Sequence, residues 1–225
     1  MFETVKYRLV ALLLLLGIQV LGWQSCMNLS AQASLQGWGQ FTLRHFTPKK
    51  WVFEGDAEFR SPFDAGGSAN IITRAGVGRR FGYGFFTVGV GTVETLPLSS
   101  GDPYLNEVRI YQRLNLNHKH GRLSFSHTLR TEERWTSANP KSLFWFHLRL
   151  RYMLQAMYSF PKAKLLQGTP YLLANAEALT QPLDNFRSQI RTYAAVGVDW
   201  KQQWRMDIGI LTLRNIPSMG KLPAQ

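Results

Sequence analysis

The side chains of this 225-residue sequence that can do chemistry are five histidines, one cysteine and a long series of arginines and carboxylates spaced two residues apart. Hydrolysis by a nucleophile needs a hydroxyl or carboxylate placed against a histidine. His127 shares a face with Leu123, Phe125 and Leu129 beside Thr128, so it reads as a packed or interfacial residue. His147, near Trp145 on the polar side of its segment, reads as a hydrogen-bonded interior histidine and is the one histidine with catalytic potential. His118 and His120 form an HxH that would hold a metal only if further ligands converged on it; an exposed basic turn is the simpler reading. Gly76, Gly78 and Gly82 resemble a dinucleotide loop superficially, but no helix follows them, and glycines within strands allow curvature and close packing. No catalytic residue, metal ligand or cofactor is assigned.

The charged series remains. Placing the polar positions of each segment together gives an interior lined by Glu54, Asp56, Glu58, Arg60, Arg74, Glu107, Arg109, Arg113, Arg130, Glu132, Arg134, His147, Arg149, Arg151, Glu177, Arg187, Arg191 and Asp207. Guanidinium groups bond carboxylates bidentately, so such residues can fill a narrow lumen as one ion-pair network. The arginine excess also permits an anion-selective, porin-like path or a binding site for a small acidic solute. A formal charge of +12 and a pI near 10.1 raise nucleic-acid binding. The basic residues are spread over many segments rather than gathered in one helix or stripe, and an export signal separates the chain from nucleic acid. Lipopolysaccharide phosphates and acidic solutes are the expected anionic neighbours.

What positions these residues is a period of two. From Leu123 to Arg134, Leu123, Phe125 and Leu129 point one way, and Ser124, Ser126, Thr128, Arg130, Glu132 and Arg134 point the other. Phe53, Gly55, Ala57 and Phe59 likewise oppose Glu54, Asp56, Glu58 and Arg60. About ten such strands are expected, near Trp38 to Phe46, Trp51 to Arg60, Asn70 to Phe81, Tyr83 to Thr95, Tyr104 to Asn115, Arg122 to Trp135, Leu143 to Tyr158, Tyr171 to Leu179, Arg187 to Trp200 and Trp204 to Arg214. Alternation fits a soluble sandwich as well as a membrane barrel. Length favours the barrel, because a tilted strand needs about 9 to 11 residues to cross a bilayer, and soluble strands usually run about 5 to 6. Trp38, Trp51, Trp135, Trp200 and Trp204, near strand ends, suit interfacial girdles. The expected fold is an all-β, transmembrane, antiparallel barrel of about ten to twelve strands in up-and-down order.

Residues 1–33 have the layout of a secretory signal: Lys6 and Arg8, an apolar run from Leu9 to Leu21, and small residues at Ala31 and Ala33. Cleavage is expected before Ser34, leaving 34–225 as one barrel domain. Cys26 falls in the removed segment, so no disulfide is expected. If the short connections lie on the periplasmic side, both termini fall outside. That arrangement is unusual and implies missed strands or a missing one. The chain also closes on Pro217, Gly220, Pro223 and Gln225 rather than on a terminal aromatic strand.

Three stretches stand out in the second half: Arg130 to Trp135 (RTEERW) leading to Arg149, Arg151 and Tyr152 (RLRY), then Asn175 to Leu179 (NAEAL), then Asp184 to Arg187 (DNFR) running into Tyr193 and Gly197. With them the chain resembles an uncharacterised outer-membrane barrel family, domain of unknown function 2490, common in Bacteroidota. The resemblance implies a Gram-negative outer-membrane location and a barrel, with no assigned activity. Members usually have a further C-terminal strand ending in an aromatic, which is absent here. The expected role is structural, or a narrow pore or binding barrel for a small acidic solute, in a monomer contacting lipid, lipopolysaccharide and the barrel-assembly machinery. An outer-membrane enzyme acting on lipid or lipopolysaccharide and a soluble periplasmic β-protein are the alternatives.

Overall fold

Strands with one apolar and one charged face satisfy their backbones only by pairing with one another, and in the computed structural model they do so in a ring. The structure describes residues 33–63, 68–97, 106–137, 144–161, 168–184, 187–200 and 203–216. The expected export signal, except for Ala33, and the C-terminal residues 217–225 lie outside them. The strands are β1 (Ala33–Phe46), β2 (Trp51–Pro62), β3 (Ser68–Phe81), β4 (Gly84–Pro97), β5 (Asn106–His120), β6 (Leu123–Ser137), β7 (Trp145–Ser159), β8 (Thr169–Gln181), β9 (Arg187–Trp200) and β10 (Trp204–Ile216). Each pairs antiparallel with its sequence neighbours. The barrel closes where β1 meets β10, in a register running from Ala33↔Arg214 to Leu43↔Trp204.

That closure corrects the expectation of a missing strand, and the range of ten to twelve resolves to ten. An even number of antiparallel strands brings the start of β1 and the end of β10 to one end, here called the terminal end. It also carries the connections 63–67, 98–105, 138–144 and 182–186. The opposite, turn end carries 47–50, 82–83, 121–122, 160–168 and 201–203. Two of these turns are two-residue connections opened by a glycine in the left-handed region, Gly82 at φ 38° and Gly121 at φ 58°, the conformation that matches the twist of a hairpin. Gly82 therefore belongs to a turn, not to a strand.

The period of two sorts the wall as expected. Outward side chains stay exposed, among them Phe53 at 49%, Leu129 at 52% and Ile208 at 66%, while Glu58, Arg74, Glu107 and Glu132 are buried inside. Outward polar groups pair with each other across strands: Thr73 with Thr92, Thr131 with Gln112, and His127 Nδ1 with the Tyr152 hydroxyl at 2.8 Å. An outer wall that is largely apolar is the arrangement of a barrel bounded by hydrocarbon.

Two expectations change. Trp38 is no girdle residue. It shares the inward face of β1 with Gln40, Thr42 and Arg44, and is 8% exposed, with the Arg60 guanidinium 4.1 Å from its ring. His118 and His120 lie in β5, not in a turn, because the ladder with β6 continues to His120↔Leu123. The His118 ring stacks on Phe125 and His127.

Glycines on the inward face of β3 and β4 make room for a side chain from the next strand. A Cβ at Gly76 or at Gly89 would stand 2.6 Å or less from the Tyr111 side chain, and at Gly89 also 2.3 Å from the Ala75 carbonyl. Tyr111, 1% exposed, thus lies flat against the wall, and the glycine spacing sets how deep the lumen is at this level. Gly89→Ala is expected to lower stability by about 1–3 kcal/mol through overpacking. Gly39→Ala, where a Cβ meets nothing within 4 Å, should change it by no more than about 0.5 kcal/mol. Urea unfolding of the barrel in lipid vesicles measures both.

Candidate functional site

The inward carboxylates are fewer than the inward arginines, so single acids must serve several guanidinium groups. Glu132, fully buried, is the centre of this sharing. Arg151 reaches it at 2.7 Å, Arg130 at 3.3 Å, Arg149 at 3.6 Å and Arg109 at 3.8 Å. Arg109 and Arg134 both bond Glu107, Arg60 and Arg74 both bond Glu58, and Arg44 and Arg113 share Glu54. Arg74 also reaches Asp56 at 2.6 Å, and Glu177 takes Arg151 at 2.6 Å and Arg191 at 3.7 Å. Charged groups removed from water persist only when paired in this way.

The network fills the lumen unevenly. Around Glu107, Glu132, Arg109, Arg134 and Arg149, toward the terminal end, it packs side chain against side chain. Below it lies a cavity of about 930 Å³ whose lining runs to Gly82, Tyr83 and Lys119 at the turn end. Glu58, Arg74, Arg130, Arg151, Glu177 and Arg191 form its inner boundary. Its lining holds eight arginines and Lys119 against five carboxylates, an excess that favours anions. One wall is different in kind: Trp38, Leu173, Tyr193 and Met157 line it, and behind them Tyr171, Ala195 and Leu211 complete an apolar cluster on β1 and β8–β10.

The model of one family, described as "Protein of unknown function (DUF2490)", matches residues 35–216, which is most of the chain and nearly the whole barrel. The chain belongs to the DUF2490 family. No curated protein matches it. Among solved structures it is similar to the β domain of the Bordetella autotransporter BrkA, at 8% identity and a TM-score of 0.38, covering 82% of this chain and 99% of that one. It is also similar to the translocator domain of the autotransporter NalP from Neisseria meningitidis, at 10% identity and a TM-score of 0.34, covering 92% and 96%.

In this DUF2490 barrel nearly all the charged residues expected inside are brought together. Asp207 departs from the pattern: it accepts hydrogen bonds from Tyr171 at 2.8 Å and Tyr193 at 2.7 Å and stands on the aromatic wall rather than in the arginine network. The side chain of Arg187 lies outside the described residues. Sequence reasoning missed Arg44, Asp199 and Arg205 at the turn end, where Arg205 and Asp199 pair at 3.6 Å. Arg44 could have been found by parity, since it continues the face of Gln40 and Thr42.

His147 has partners that the sequence did not assign. Its Nδ1 meets Asp184 Oδ2 at 2.7 Å and its Nε2 meets the Thr136 hydroxyl at 3.0 Å, an acid–imidazole–hydroxyl chain at the terminal end. The chain ties the 182–186 connection to β6 and β7. Thr136 is 9% exposed, so its hydroxyl has little room for a substrate. Among the described residues no three His, Cys, Asp or Glu side chains stand together as metal ligands.

Neutralising the shared acid tests the network. In the DUF2490 barrel Glu132→Gln leaves buried arginines without their counter-charge and is expected to cost about 3–5 kcal/mol. Glu133→Gln, one residue along on the outward face, should not show such a loss. Urea unfolding followed by tryptophan fluorescence compares the two.

Proposed function

We propose that the chain is an outer-membrane barrel of a Gram-negative envelope whose lumen is a blind, arginine-lined vestibule that binds a small acidic solute and does not conduct it through. In this reading a signal ending before Ser34 exports the chain, and the assembly machinery inserts it as a monomer among lipid and lipopolysaccharide. The observation that carries the binding role is the one-sided cavity: cation-rich, open toward the turn end, and stopped by the buried layer around Glu132. A barrel of this size leaves no through-channel, since about eight strands are just filled by side chains and water-filled porins need about 16. The apolar, exposed outer wall supports the membrane location over a soluble periplasmic one, because soluble proteins rarely leave continuous apolar surface uncovered. Reconstituted in a planar bilayer, the protein is expected to give no steady ohmic current, and succinate at constant ionic strength is expected to raise its urea midpoint. A steady open-channel conductance would sink the blind-vestibule reading, and an unmoved midpoint would sink anion binding.

A second reading is favoured by the Asp184–His147–Thr136 chain, which has the connectivity that activates a hydroxyl nucleophile. In it, the barrel hydrolyses ester bonds of lipid or lipopolysaccharide at the terminal end. Buried Thr136 argues for the first reading, in which the chain is a tether and the protein has no catalytic centre. The first reading expects hydrolysis of a short p-nitrophenyl ester at the buffer rate, identical for the natural chain and His147→Ala. Turnover abolished by His147→Ala and by Thr136→Val would establish the enzyme instead.

A further inference from the structure

The cavity is polar on one side and apolar on the other, and the two sides meet on one strand. Three arginines stand in one row across adjacent strands, since Arg113 on β5 is the register partner of Arg130 on β6, and Arg130 is the partner of Arg151 on β7. Neighbouring strands are about 4.8 Å apart, so three like charges stand side by side, an arrangement that repels unless an anion is shared among them. Each has an acid, but a shared one: Arg113 bonds Glu54, which Arg44 also reaches, Arg130 has Glu132 at 3.3 Å, and Arg151 has Glu132 at 2.7 Å and Glu177 at 2.6 Å. Glu132 also serves Arg109 and Arg149, and Glu177 also serves Arg191, so seven guanidinium groups draw on three carboxylates. The Nε groups of Arg113 and Arg130 and the Nη1 of Arg74 are buried and bonded to nothing in the protein. These three residues are more than nine-tenths buried and line the cavity.

The apolar side begins where the row ends. Met153 follows Arg151 by two residues on the same face of β7, Met157 follows beyond Gln155, whose register partner is Asn175, and Leu173 on β8 is the register partner of Met157. Leu173 belongs to the cluster that includes Trp38 and Tyr193, whose tilted rings lie 4.5 Å apart, and Met157 packs against it. All of these line the same cavity, and its volume of about 930 Å³ is within the range of about 300–1,000 Å³ that holds a small organic ligand.

We infer that the solute taken by the vestibule is an amphiphilic organic acid, with its acidic head on the Arg113–Arg130–Arg151 row and a short apolar body along Met153, Met157 and Leu173. The inference rests on the anion-binding reading above and adds the body to the head. A simple inorganic anion would use the row and leave the apolar wall uncovered. A neutral hydrophobe would cover the wall and leave the guanidinium groups unmatched.

The test is calorimetry on the protein in lipid nanodiscs, with empty nanodiscs subtracted. The probes are 4-phenylbutyrate, acetate as head alone and 4-phenylbutan-1-ol as body alone. 4-Phenylbutyrate is expected to bind at least tenfold tighter than either. Arg130→Gln is expected to weaken it at least tenfold and to leave 4-phenylbutan-1-ol unchanged. Should Arg130→Gln fail to give the folded, heat-modifiable species on a gel, Met157→Gln serves: it should weaken 4-phenylbutyrate and spare acetate. Acetate binding as tightly as 4-phenylbutyrate overturns the amphiphile and leaves anion binding standing. Equal binding of the alcohol overturns the role of the arginine row. Absence of binding by both acids overturns this inference and the anion-binding reading with it.

Discussion

A peptide group facing hydrocarbon has no water to bond, so a sheet whose outer face is apolar must close on itself. The rest of this barrel follows from that closure. Ten strands paired only with sequence neighbours require β1 to meet β10, and the closed wall encloses a lumen too narrow to be a bulk aqueous channel yet wide enough to need filling. Alternation then decides what fills it: the residues between the outward ones point in, and in this chain many of those are charged. The arginine–carboxylate network is therefore the interior that goes with a lipid-facing wall, doing with ion pairs what a soluble core does with methyl groups.

The filling is asymmetric in two directions, and the asymmetry makes the site. Along the barrel axis, Glu132 and Glu107 draw arginines into a dense layer toward the terminal end, whereas the turn end keeps about 930 Å³ open. Around the axis, β2–β7 supply most of the charge and β8–β10 with β1 supply Trp38, Tyr171, Tyr193 and Leu211. Asp207 marks the boundary. It is a carboxylate among aromatics, held by two tyrosine hydroxyls instead of by a guanidinium.

The sequence made the faces legible and left the neighbours obscure. Parity placed Glu54, Asp56, Glu58 and Arg60 on one side of β2 without any structure, because a period of two has one phase to choose. The same rule applied to Trp38 would have put it beside Gln40 and Arg44, but its place near a strand end suggested a girdle, and the composition cue overrode the geometric one. The ends of strands were less legible than their middles: β5 runs on to His120 because the β6 ladder supports it, and nothing in the local residues says so. Cross-strand register was the largest gap. That Arg113, Arg130 and Arg151 stand side by side, or that Asp184 from a connection reaches His147, depends on how far each strand slides against the next, which no single strand encodes.

The arginine row has a consequence for the empty protein. Three adjacent guanidinium groups whose acids are shared with other arginines repel one another in the folded barrel and not in the unfolded chain, where they are far apart and hydrated. An anion that binds the row stabilises the fold in proportion to the logarithm of its concentration. In the anion-binding reading proposed above, occupancy and durability would be one quantity: the persistence of each copy in the membrane would record how much solute its surroundings hold.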